Sequence, residues 1–393
     1  MIYRRFGKTE LEMPVFSAGG MRFMQSWQDV AQKDIEQAQQ KKLQKIIAGA
    51  LDLGINHVET ARGYGSSERQ LGLVLKEYER ENFIVQTKVE PVADPLLFRE
   101  HVLDSLRRLQ VERVDLLALH GINSHKQLWH ACRPGGCLHA ARLLQKQGKV
   151  DWVGFSGHAS TDVLLQAVNH DQDGGFDYIN LHWYTIFQRN EKVLEAASVQ
   201  DMGTFIISPT DKGGMLHTPP LLLEELSAPL TPMQFNDLFC LQHKAIHTIS
   251  IGAAKPDDFT DHVLALQYIK DLDLVGNIYQ RWQKRMLAVS GNCSPDSHWE
   301  MFPGCGETPG CMNIPMILWL YNLATGWDLL AYAQARYFML GKGNQWVPGN
   351  NAACIVEDDV QVFAEKFHLP ARELLLKLQQ AHELLVKKEK ENV

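Results

Sequence analysis

Between positions 15 and 251 the chain alternates two patterns of apolar residues. Short, almost continuously apolar runs occupy 15–18, 56–60, 83–88, 114–120, 152–156, 178–182, 204–208 and 248–251. Runs of that kind are what strands buried on both faces require. The stretches between them carry apolar residues every three or four positions. In 42–53, Leu43, Ile46, Ile47, Ala50 and Leu51 share one face. The segments 68–78, 98–109, 138–147, 161–168 and 191–198 repeat that spacing. Gly54, Gly148 and Gly203 each follow such a segment, where a left-handed helix cap favours glycine. Eight strands alternating with helices predict a (β/α)8 TIM barrel. The alternative is a doubly wound open sheet. No GxGxxG fingerprint follows the first strand, and in the nearest fragment, Gly63 to Glu68, Glu68 stands where the third glycine belongs.

The pattern changes after about position 265. Strand signals vanish, and 266–289, 317–340 and 371–387 read as helices. Two Gly/Pro loops, 299–315 and 341–354, separate them. The expected organisation is a barrel over 1–270 and a mostly helical module over 271–393. The charged stretch that closes the chain reads as a frayed helix end.

Composition narrows the function classes. The chain has 393 residues, 45% hydrophobic and 22% charged, with net charge −7. That composition is globular. The acidic balance argues against a nucleic-acid partner, which usually meets a basic domain or stripe. The longest apolar stretch, 316–332, is interrupted by Asn322, Gly326 and Asp328, so no membrane span is expected. The first residues lack the apolar core of a secretory signal. Seven scattered cysteines point to a reducing, cytoplasmic setting without a disulfide framework.

A barrel places its chemistry where strands end and loops begin. Glu59 closes the second run, Tyr64 follows in a Gly-rich turn, Lys88 closes the third run and His120 the fourth. These four proton-capable side chains converge on one mouth and are the candidate catalytic set. Reducing a carbonyl needs a proton donor for the developing alkoxide. A phenol ionises near pH ~10, so a neighbouring cation is needed for it to exchange protons near neutrality. Lys88 supplies that cation, Glu59 holds the ammonium, and His120 can donate to the carbonyl oxygen.

ETARGYGSSERQLG (59–72), VQTKV (85–89), LLALHG (116–121) and VGFSGH (153–158) resemble the aldo-keto reductases, as does the opening YRRFGKTELEMPVFSAGGMRF. The resemblance implies a catalytic Asp, Tyr, Lys and His. Tyr64, Lys88 and His120 match, and Glu59 stands where the family has Asp. It further implies NADP(H) as cofactor and a small carbonyl substrate. Gly20, Met21 and Arg22 would border the nicotinamide. Ser156, Gly157 and Asn180 would hold its carboxamide, with Asn180 in a position usually held by Gln and His158 where many relatives have Asn. Ser208, Pro209, Lys212, Gly213 and Gly214 would bracket the pyrophosphate. Gly252, Ala253 and Ala254, with free backbone N–H groups opening a helix, also read from the residues alone as an anion site. There Lys255, Asp258 and His262 would surround the adenosine phosphate, with Lys255 meeting a 2′-phosphate. Trp183 and Tyr184 either wall the substrate pocket or simply pack, and packing is the favoured reading. The polar insertion 25–40 is expected near the mouth.

The C-terminal segment resembles a ferredoxin-like module of the kind some aldo-keto reductases carry, which holds two four-iron clusters. From Cys354 the matching ligand positions are Glu357, Val360 and Ala364, none a thiolate. Cys293, Cys305, Cys311 and His298 lack zinc-site spacing. No metal is therefore expected, and Val360 and Ala364 should join an apolar core. The leading functional expectation is an NADPH-dependent carbonyl reductase. The alternative is a nucleotide-holding scaffold that contacts a protein partner through the C-terminal module.

Overall fold

A computed structural model describes residues 1–343 and 346–386. The chain divides into two compact units. The first comprises 1–185, 190–212 and 236–272, and the second 186–189, 213–235 and 273–393.

In the first unit the chain opens with a hairpin, β1 (Tyr3–Arg5) paired antiparallel to β2 (Glu12–Pro14). The hydrophobic pattern gives no hint of it, because three-residue strands are too short to show a period. Eight parallel strands then close a barrel. They are β3 (Phe16–Gly19), β4 (His57–Glu59), β5 (Ile84–Val89), β6 (Val114–Leu119), β7 (Val150–Ser156), β8 (Tyr178–Leu181), β9 (Gly203–Ile206) and β10 (Thr248–Ile251). The last pairs back to the first through Ile249 and Phe16, so the open-sheet alternative is excluded.

The hairpin plugs one end of the barrel. Phe6 packs with Met13, Ile84, Leu116, Tyr178 and Phe205, all buried. Gly203 begins β9 directly against this plug, since a Cβ there would lie 2.6 Å from the Phe6 ring. Gly203 therefore serves close packing inside a strand and is no helix cap. The left-handed residue after the preceding helix is Asp201, at φ +50°. The other two expected caps, Gly54 and Gly148, have φ of +80° and +68°. With apolar packing at the plugged end, the polar side chains gather at the other, where each strand runs out.

The second unit is helical. Its longest helices are Leu272–Ser290, Ile314–Gly326 and Ala371–Leu385, with Leu330–Tyr337 and Glu357–Lys366 between them. Sequence periodicity predicts one helix over 317–340, but the chain breaks at Asp328, which adopts φ +56°. There the Trp327 and Leu329 N–H groups both turn back to the Leu323 carbonyl, at 3.2 and 3.1 Å. The segment 213–235, read from sequence as barrel, belongs here. The Arg281 guanidinium holds the carbonyls of Leu226 and Ala228, and Phe235 packs on Trp282 at 5.2 Å between ring centroids. The Trp327 indole donates to the Trp282 carbonyl at 2.9 Å, and Trp319 to that of Ile186 at 2.9 Å. Arg189 lies 3.3 Å from the Trp299 ring centroid. Val360 and Ala364, expected in an apolar core, are fully buried. Among the described residues no three His, Cys, Asp or Glu side chains group as a metal site. No described helix is long and apolar enough to cross a membrane. The charged stretch from Lys387 lies outside the described residues.

Candidate active site

Three strand ends and one turn build the centre. Glu59 is the last residue of β4 and Lys88 the fifth of β5, both inside the barrel mouth and almost fully buried. The Lys88 ammonium forms an ion pair with Glu59 and donates to the Thr60 carbonyl at 3.0 Å. Glu59 therefore reaches Lys88 despite its extra methylene. Tyr64 stands in a tight turn, its N–H bonded to the Ala61 carbonyl at 2.9 Å. The turn is fixed by Gly65, at φ +49°, where a Cβ would lie 1.9 Å from the Ser26 carbonyl oxygen. Ser26 belongs to the polar insertion, so that segment packs on the loop bearing Tyr64. Lys88 Nζ sits 4.8 Å from the Tyr64 ring centroid. His120, just past β6, meets Tyr64 edge-on with ring centroids 5.7 Å apart. The four predicted side chains thus form one chain of contacts: Glu59, Lys88, Tyr64, His120.

Burial sets their titration. It pushes the Lys88 ammonium down to about 7, while the Glu59 carboxylate opposes that fall. Burial pushes the Tyr64 phenol above its ordinary value. His120 falls to about 3, through burial first and then the Lys88 and Lys212 charges, so its imidazole is neutral at physiological pH. The arrangement therefore holds a protonated phenol, a neutral imidazole and a cation that titrates readily.

Sequence reasoning missed a second polar layer. Below Glu59, His57 Nδ1 lies 2.6 Å from Ser17 Oγ, which lies 2.7 Å from Thr248 Oγ1. Burial and Lys88 hold the His57 imidazole down at about 3. On the outer side of β5, Thr87 donates to Glu68 at 2.6 Å, and burial pushes the Glu68 carboxyl up. Beside the mouth, His182 Nδ1 faces the Ile207 carbonyl at 3.1 Å. A carbonyl only accepts, so Nδ1 carries the proton. His182 Nε2 then accepts from His158 Nδ1 at 2.7 Å and Lys212 Nζ at 3.2 Å. His182 closes the sixth apolar run, so the strand-end rule that selects His120 selects it equally.

The residues implied for nucleotide binding separate into groups. Gly20, Met21 and Arg22 form a 3-10 turn directly after β3. A Cβ at Gly20 would strike the Glu59 carbonyl oxygen at 2.2 Å, so only glycine brings this turn so near the centre. Ser156 ends β7, and its Oγ accepts the Gly121 N–H at 3.1 Å. At Gly157 a Cβ would approach the Ile122 carbonyl to 2.8 Å. Asn180, in β8, is fully buried, and neither its Oδ1 nor its Nδ2 has a hydrogen-bond partner. A buried amide in that state fits a ligand carboxamide, which offers a matching donor and acceptor. After β9, Ser208 takes φ +55°, and the Pro209 carbonyl accepts from Asn236 at 3.3 Å. Gly213 and Gly214 fall in the second unit, with Gly214 at φ +124°. Gly252, Ala253 and Ala254 follow β10, and the Lys255 side chain is exposed. The Asp258 carboxylate accepts the N–H groups of Ala254 and Lys255, at 2.7 and 3.1 Å. His262 is turned away from this rim. It is buried, and its Nδ1 lies 2.5 Å from Asp237 Oδ2.

The Aldo/keto reductase family model matches residues 16–278. The chain is 24% identical over 324 residues to a protein of Schizosaccharomyces pombe assigned as a voltage-gated potassium channel subunit beta, covering 69% of this chain and 89% of that one. It is 23% identical over 241 residues to the uncharacterised oxidoreductase YrpG of Bacillus subtilis, covering 55% and 68%. An aldo-keto reductase from Bacillus halodurans in its holo form shares the fold, with a TM-score of 0.59 at 21% identity over 71% of this chain and 96% of that one. The family match ends at 278, so the ferredoxin-like module rests on sequence resemblance alone.

Proposed function

Because this chain belongs to the aldo/keto reductase family, we propose that it is an oxidoreductase that reduces a small carbonyl compound, with Tyr64 as proton donor. The observation that carries the reading is Lys88, ion-paired to Glu59 while lying 4.8 Å from the Tyr64 ring centroid. A bound reduced nicotinamide dinucleotide would supply the hydride. Gly20 at the turn after β3 and the unpartnered amide of Asn180 would help hold it.

The protein's own residues handle the proton. Tyr64 donates it to the carbonyl oxygen as negative charge develops there. Burial keeps the phenol protonated beforehand, and the Lys88 ammonium stabilises the phenolate left behind. Glu59 fixes the ammonium in place. Neutral His120, edge-on to Tyr64, orients the carbonyl oxygen by donating to it. The substrate's identity rests with the loops above the mouth.

The test is direct. Purified protein is titrated with NADH and NADPH by nucleotide fluorescence, then assayed for nucleotide oxidation with a panel of aldehydes and quinones. Turnover that Tyr64→Phe abolishes supports the assignment. Nucleotide binding without turnover on any carbonyl would select the scaffold function instead.

A further inference from the structure

The segment after β10 departs from a phosphate site in one specific way. An anion site there depends on backbone N–H groups left free at the start of a helical turn. Here the chain fills two of them itself. Asp258 Oδ2 accepts the Ala254 N–H at 2.7 Å and the Lys255 N–H at 3.1 Å. The next residue, Pro256, has no N–H to offer. Three successive positions are thus closed to an incoming phosphate.

Charge points the same way. From Thr248 to His262 the segment carries one cation, Lys255, against Asp257, Asp258 and Asp261. His262 is committed to Asp237 in the core. Arg22 faces this segment from another element: a Cβ at Gly252 would lie 3.4 Å from its Cγ. It contributes charge but leaves the amides taken.

We propose that Asp258 sets nucleotide selectivity: its carboxylate holds the place of a 2′-phosphate, so the protein accepts NADH at least as well as NADPH. The inference rests on the nucleotide-binding function proposed above. The chemistry is one of donors and acceptors. A ribose 2′-hydroxyl can donate to a carboxylate, whereas a 2′-phosphate offers only acceptors and negative charge. Asp258 Oδ1 takes neither of the two amide bonds and is the oxygen placed to accept from such a hydroxyl.

The readout is the ratio of Kd values for NADPH and NADH, measured by nucleotide fluorescence on the full-length protein. In the wild type that ratio should be one or greater. Asp258→Ala frees both amides and removes the charge, and should lower the ratio about tenfold. Asp258→Asn keeps a side-chain oxygen to cap the turn and should lower it less, which separates loss of charge from loss of the loop. A wild type that prefers NADPH, or a ratio that neither variant moves, would overturn the proposal and leave the reductase assignment standing. Failure of the wild type to bind either nucleotide would overturn that assignment and this proposal together.

Discussion

Two parts of one barrel mouth treat buried polarity in opposite ways. Around β4 and β5, Glu59 and Lys88 are buried as a pair, and the cation is left within reach of Tyr64. Their mutual contact fixes position, yet the ammonium still falls to about 7, so it can change charge near neutrality. After β10, Asp258 satisfies the backbone of its own loop and closes the anion site that loop would otherwise offer. The first arrangement is organised toward a reactant, the second toward itself. The difference lies in what remains unsatisfied. A hydrogen bond that closes within the protein stabilises the fold, whereas the buried Asn180 amide is left without a partner.

The sharpest way to break this contrast is Tyr64→Phe. General acid catalysis contributes roughly 10²- to 10⁴-fold, and the variant should lose reduction by that order while still binding nucleotide. Parallel steady-state kinetics and nucleotide titration check it. Equal turnover in the two proteins would mean that the proton comes from elsewhere.

Glu59→Ala comes next. It leaves Lys88 buried without its partner, a loss on the order of 3 kcal/mol in stability. The ammonium would then give up its proton more readily, and reduction should fall about 100-fold, the scale of a small misplacement of reacting groups. Thermal unfolding and kcat/KM together should show both losses. Glu59→Asp keeps the charge and should lose less of each. A Glu59→Ala protein with unchanged kinetics would remove the ion pair from the mechanism.

Much of the first arrangement was legible because it obeys a rule of position. Eight short apolar runs gave the barrel, and residues at their ends gave Glu59, Lys88 and His120. His182 also ends an apolar run but was passed over, because its partners His158 and Lys212 emerge only in three dimensions. The second arrangement was not legible. Asp258 and Lys255 both read as neighbours of a phosphate, because sequence shows charge and spacing but not which N–H a carboxylate accepts. His262 shows the same limit: its partner Asp237 lies 25 residues away, in another helix. In the second unit, periodicity could not show that Asp328 would take a left-handed conformation and split one helix into two. The burial of Val360 and Ala364 was legible, since apolar side chains gain by leaving water.

pH gives a finer probe of the first arrangement. Reduction requires Lys88 charged, because the ammonium stabilises the Tyr64 phenolate. Raising the pH through about 7 removes that charge in the free protein, so kcat/KM for reduction should fall above that point. The slope should approach about tenfold per pH unit for loss of a single proton. His120, held at about 3, stays neutral throughout and adds no second inflection there. A profile flat from pH 6 to 9 would show that Lys88 keeps its proton across that range or takes no part.

The smallest expected effect belongs to Lys255→Ala. Its side chain is exposed, and an exposed ion pair contributes little in water and is screened by salt. With Asp258 closing the site, a 2′-phosphate would not settle against Lys255, so removing the lysine should change the ratio of NADPH to NADH affinity by less than about threefold. The background matters more than the residue. In an Asp258→Ala protein the amides are free, a phosphate can approach, and the same Lys255→Ala change should then have a larger effect. Four nucleotide titrations complete that double-mutant cycle. A large fall in NADPH affinity relative to NADH from Lys255→Ala in the wild-type background would show that lysine, and not Asp258, governs the rim.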